Sequence, residues 1–174
     1  MSNSTGSRQG TVGSTTAEQA AMSGRTVLSG VLFGIGVAAF VDETVFHQLL
    51  HWHHFYDKST PEIGLVSDGI FHAFGWFAAV ASLFLFADIR RRGGLRMARW
   101  SGAVLVGAGG FQLYDGTIQH KLMGLHQIRY NVDLLPYDLT WNILACIMIA
   151  IGIVLLVRTR PTRTATHAPV TARG

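Results

Sequence analysis

The stretch from Gly34 to His54, GIGVAAFVDETVFHQLLHWHH, runs from an apolar helix into an acidic pair and then into four histidines. Taken as one continuous helix at about 100° per residue, Glu43, His47 and His54 share a narrow arc, and His51 lies about 40° beyond His47. Asp42 and His53 fall on a second arc, more than about 90° round from His47. A surface this polar is costly in hydrocarbon and is expected to face a bundle interior, a wet cavity or the membrane interface.

Composition agrees with that setting. Hydrophobic residues make up 49% of the 174, charged residues only 14%, and the mean hydropathy is +0.31, which points away from an ordinary soluble domain. The single cysteine, Cys146, excludes a disulfide framework and a cysteine-rich metal site, and its apolar surroundings suggest a buried small side chain. A net charge of +4 and a pI near 9.7 do not indicate nucleic acid. The arginines flank apolar segments and have no interleaved aromatics, so they read as topology signals.

The expected organisation is a polar tail over residues 1–24, a four-helix transmembrane domain over 25–157 and a basic tail over 158–174. The polar tail does not read as a signal peptide, because it sets the first apolar run too far from the start. Four segments reach the length of about 20 residues that a span needs: Thr26–Leu50, Gly69–Ile89, Trp100–Gln119 and Leu139–Val157. Backbone groups in lipid must be satisfied within each segment, so these are helices, and the fold class is an all-α integral membrane bundle. Every Lys and Arg except Lys58, Lys121 and Arg129 falls on one side of this arrangement. Positive charge collects in the cytoplasm, so both termini are expected there, in a bacterial inner membrane. Every histidine except His167 then gathers at the extracytoplasmic end, together with Asp42, Glu43, Asp68, Asp115, Asp133 and Asp138.

Two helices share a pattern. Gly34, Gly36, Asp42 and His47 in the first recur at the same spacing as Gly107, Gly109, Asp115 and His120 in the third. Asp68 and Trp76 match Asp133 and Trp141, with Tyr137 where His72 stands. Repeated helix pairs of the same orientation imply a pseudo-twofold axis along the membrane normal. Gly30, Gly34, Gly107 and Gly110 are expected to let helix backbones approach.

These residues also carry a family resemblance. Phe40, Asp42, His47-Gln48, Trp52-His53-His54, Asp68-Gly69, Phe71-His72, Asp115-Gly116, His120, Gly124, His126, Arg129 and Asp138-Leu139 together resemble the bacterial membrane proteins of "domain of unknown function 2243", over about residues 27–157. The chain departs from that pattern at Glu43, where glycine is usual, at His51, where glutamine is usual, and at Gln127, where a second histidine often follows. The resemblance therefore sets Glu43 and His51 aside as shared site residues, and it implies no activity.

From the residues, the expected chemistry is a metal site built by His47, His53, His54, His72, His120 and His126 with Asp42, Asp68 and Asp115, since neutral imidazole and carboxylate suit copper, iron or zinc. Ligation of a haem by two histidines is a further option, although no CxxCH attachment motif is present. Two other readings compete: a structural His/Asp hydrogen-bond network in a membrane or assembly subunit, and a proton- or ion-handling protein. The expected partners are the lipid bilayer and either a second copy or a membrane complex, with no nucleic acid. Nothing in the chain resembles a hydrolase elbow, a phosphate-binding loop or a nucleophilic cysteine.

Overall fold

Pro61 and Pro136 each open a helix, where a missing N–H costs nothing, and Gly93, left-handed at φ 68°, closes one. In the computed structural model, which describes residues 6–161, four helices follow: α1 (Gly6–Asp42), α2 (Pro61–Arg91), α3 (Met97–Tyr114) and α4 (Leu135–Arg158). Among the described residues there is no strand. α1 and α3 run on into wider π-helical turns, Glu43–Leu49 and Asp115–Met123. Three stretches are long and apolar enough to cross a membrane: Ala17–Leu49, Pro61–Arg91 and Leu135–Arg158.

The third helix is the glycine-rich one, and its position accounts for its composition. α3 lies against α1 on one side and α4 on the other, while α2 packs on α1; no other pair of helices comes into close backbone contact among the described residues. The two central helices meet through small residues. A Cβ at Gly34 would strike the Val104 carbonyl, one at Gly107 would strike the Val31 carbonyl, and one at Gly30 would come within 2.6 Å of Ala103 Cβ. Close backbone approach of this kind gives the van der Waals contact that holds helices together when lipid removes the hydrophobic drive. Gly36 serves α2 in the same way and Gly109 serves α4, whereas Gly110 is open and makes no such contact.

The outer faces of α2 and α4 are apolar and exposed, with Phe77, Phe84, Ile143 and Ile147 among their residues. Cys146 belongs to this outward surface rather than to the interior, because α4 buries only the narrow strip that contains Ala145 and Gly152. At the end of the bundle remote from the histidines, Ser29 and Ser82 exchange hydrogen bonds with each other's carbonyls at 3.0 and 2.7 Å, and Arg25 pairs with Asp88 at 2.7 Å.

α1 begins at Gly6, so helix covers much of the stretch expected as a polar tail. No proline interrupts residues 6–42, and an established helix gains one hydrogen bond for each residue added. Residues 1–5 and 162–174, including His167, lie outside the described residues.

Candidate metal centre

The expected continuous face of Glu43, His47, His51 and His54 does not form, because α-helical geometry ends at Asp42. In the π turns that follow, residues five apart come together. Gln48 Nε2 donates to Glu43 Oε1 at 2.8 Å, and His47 Nε2 lies 3.7 Å from Asp42 Oδ2. The second π segment does the same, with His120 Nε2 3.1 Å from Asp115 Oδ2. In an α-helix those partners would stand about 140° apart.

Both segments then stop on a left-handed residue, His51 at φ 50° and Gly124 at φ 55°. In each case the N–H of the next residue reaches six residues back into the π segment, Trp52 to the Phe46 carbonyl and Leu125 to the Gln119 carbonyl, both at 2.9 Å. The chain reverses there, so His53 and His126, and not His54, are carried back toward His47 and His120. His51 is left exposed.

His53 and His126 stack with ring centroids 4.5 Å apart and planes 8° from parallel. His53 Nδ1 donates to the Ile128 carbonyl at 3.0 Å, and His126 Nδ1 donates to the Phe55 carbonyl at 2.9 Å. A carbonyl can only accept, so these bonds put the proton on Nδ1 and leave Nε2 as a lone pair. His47 is fixed from the same side: its Nδ1 donates to Asp68 Oδ1 at 3.0 Å and stands 2.9 Å from Glu43 Oε2. The Nε2 atoms of all three histidines are buried with no hydrogen-bond partner, as is Nδ1 of His120, whose Nε2 faces Asp115. The rings crowd one another, His47 to His53 at 4.5 Å and His120 to His126 at 4.7 Å. Burial among His126, His47 and His120 pushes His53 down to about 2, so it stays neutral.

Ligand-capable atoms of Asp42, His47 and His53 lie within 4.8 Å of one another, as do those of His53, His120 and His126. Asp115 closes the second group, with its other oxygen 3.6 Å from His126 Nε2. Asp42, His47, His53, Asp115, His120 and His126 are therefore brought together. Asp68 stands behind them, occupied by His47, by His54 Nδ1 at 2.6 Å and by the Phe55 N–H at 2.7 Å. His54 sits on the outer side of Asp68 and is partly exposed. His72 is not brought in: it lies on α2 against Phe40, with ring centroids 5.0 Å apart. Glu43, which the family pattern had set aside, is buried in the cluster and forms a third group with His47 and Asp68. Its spacing of four from His47 and five from Gln48 was the available signal.

The model of the family described as "Predicted membrane protein (DUF2243)" matches residues 29–159. The chain belongs to this family. The DUF2243 match takes in both π segments, both reversals and every residue of the cluster. Neither a curated protein nor a solved structure matches the chain.

Proposed function

We propose that this chain is a multi-pass protein of the bacterial inner membrane that binds a transition metal through Asp42, His47, His53, Asp115, His120 and His126 at the extracytoplasmic end of its bundle. One observation carries the reading: three buried imidazoles have Nδ1 committed outward to a carboxylate or carbonyl and Nε2 left bare and turned inward. Metal-binding histidines are held this way, because the Nδ1 bond fixes the tautomer and raises the basicity of the ligating nitrogen. A purely structural network would pair these atoms instead. Each buried group left unpaired costs about 1–3 kcal/mol.

The donor set is imidazole and carboxylate without thiolate, which suits iron, copper or zinc. A bare ion fits better than haem, since the stacked His53 and His126 leave no slot between them for a porphyrin. Asp68 and Glu43 would orient His47 rather than ligate. When bound, such a metal supplies Lewis acidity or redox chemistry, and the chain's part is to hold oriented imidazoles in a buried pocket.

The membrane orientation is supported by the arginines of the α2–α3 connection and of the end of α4, which stand at the opposite end of the helices from the cluster. A pseudo-twofold relation between the halves is supported by contacts that recur 73 positions along the chain, as with Gly34 on Val104 and Gly107 on Val31, or His53 on Ile128 and His126 on Phe55.

Metal analysis of the purified protein tests the proposal. The expected result is a stoichiometric d-block metal that is lost in His47→Ala and His126→Ala while the helical content is kept. A folded protein that neither carries nor takes up metal would favour the structural network.

A further inference from the structure

A cleft of about 800 Å³ opens between α1, α3 and α4 on the outer surface of the bundle. Its mouth is apolar, with Val41 and Leu144 each about half exposed. Its inner wall carries Asp42, only 4% exposed, which makes no cap hydrogen bond to its own helix and stands 3.7 Å from His47 Nε2. Aromatic rings frame the interior: Phe46 lies 5.1 Å from Trp52 and 5.5 Å from Trp141, and Trp52 lies 5.7 Å from Tyr137. The volume falls in the range of about 300–1,000 Å³ usual for small-molecule sites, which are mostly apolar with a few placed polar groups.

We propose that this cleft binds a membrane-soluble aromatic alcohol of the hydroquinone class, with its ring among Phe46, Trp52 and Trp141 and a hydroxyl donating to Asp42. A carboxylate buried in an apolar wall calls for a hydrogen-bond donor, and edge-to-face aromatics favour a ring over an alkyl chain. The apolar mouth admits such a molecule from the hydrocarbon phase. A polar substrate would instead use the smaller cleft of about 400 Å³ on the loop side, lined by His51, His53, His54 and Asp57. The corresponding space on the far side of α1 and α3, about 570 Å³, carries Gln119 and no acid of the cluster, and the Phe55, Phe71 and Phe111 rings stack along it. Of the two apolar clefts, only the first carries a residue of the centre.

The functional meaning of this binding rests on Asp42 belonging to the metal centre, but the binding can be read without metal. Full-length protein in detergent is titrated with decyl-ubiquinol by calorimetry, with decanol as the aliphatic control. The expected result is saturable binding of the quinol, tighter than decanol, that Leu144→Trp weakens at least about 10-fold by filling the mouth. The same variant keeps its metal, because Leu144 is no ligand and stands half exposed at the mouth of the cleft. Absence of saturable quinol binding, equal binding of decanol, or full binding by Leu144→Trp would overturn the proposal. Quinol binding by a protein that takes up no metal would overturn the metal reading alone.

Discussion

An imidazole has two nitrogens, and what the first one does decides what the second can do. In His47, His53 and His126 the first is spoken for, and the remaining lone pair is the residue's chemistry. Alanine at His126 should therefore remove most bound metal, whereas alanine at His72, which only packs on Phe40, should leave metal content at wild type; elemental analysis of the two variants separates them. Asp68→Asn should weaken affinity by about 10- to 100-fold, measured by chelator competition, because it loosens the hold on His47 Nδ1. One pH-dependent contribution in the metal-free protein comes from His53. The folded form keeps His53 neutral far below the ordinary imidazole range, while the unfolded chain binds a proton below about 6.5. The unfolded state thus holds more protons under acid conditions. The contribution of His53 to stability is complete above about 6.5 and falls by up to about 1.4 kcal/mol per pH unit beneath it. Thermal unfolding of chelated protein between about pH 7 and 5 should show this fall, and His53→Gln should flatten it. Residue type and recurrence made Asp42, His47, Asp115 and His120 legible in the sequence. His54 and His72 stand outside the group, His54 because the reversal carries His53 inward in its place and His72 because it packs on Phe40.

The turning belongs to the two π segments, which no composition rule announces. An Asp-x4-His spacing is wrong for an α-helical face, and its occurrence at both Asp42 and Asp115 was a hint that the helix widens there. The left-handed residue that ends each segment is glycine at position 124 but histidine at 51, where φ is 50°. Replacing His51 with glycine should relieve about 1 kcal/mol and raise the unfolding temperature without changing metal content. The packing of α1 on α3 was easier to foresee, since clustered glycines such as Gly30, Gly34 and Gly107 have few other uses in an apolar helix. Gly34→Leu should push the two helices apart and lower both stability and metal content, while Leu32→Ala, on the same helix, should do far less. Comparable small losses in the two variants would leave the close approach of Val104 without consequence.

At the scale of the molecule, hydropathy alone identified an all-helical membrane chain, because span length and backbone satisfaction admit few other outcomes. The order of the helices in space, with α1 and α3 central and α2 and α4 outside, could not be read that way: all four are apolar, and only the glycines mark which faces touch. The arginine asymmetry makes a firm demand on topology. Reporter fusions after Arg92 and within residues 57–63 should report opposite sides, cytoplasmic for the first and external for the second. A reversed result would turn the cluster toward the cytoplasm.

His53 donates to a carbonyl of the second half of the chain, and His126 donates to a carbonyl of the first. Each half thus finishes the other's ligand, in the manner of two hands each fastening the opposite cuff. Neither helix pair can preorganise its own member of the stacked pair, so the pocket is completed only at the moment the pairs dock. Occupancy then becomes a thermodynamic vote for the assembled bundle, and any ion that binds there adds its affinity to the force that keeps the two halves together.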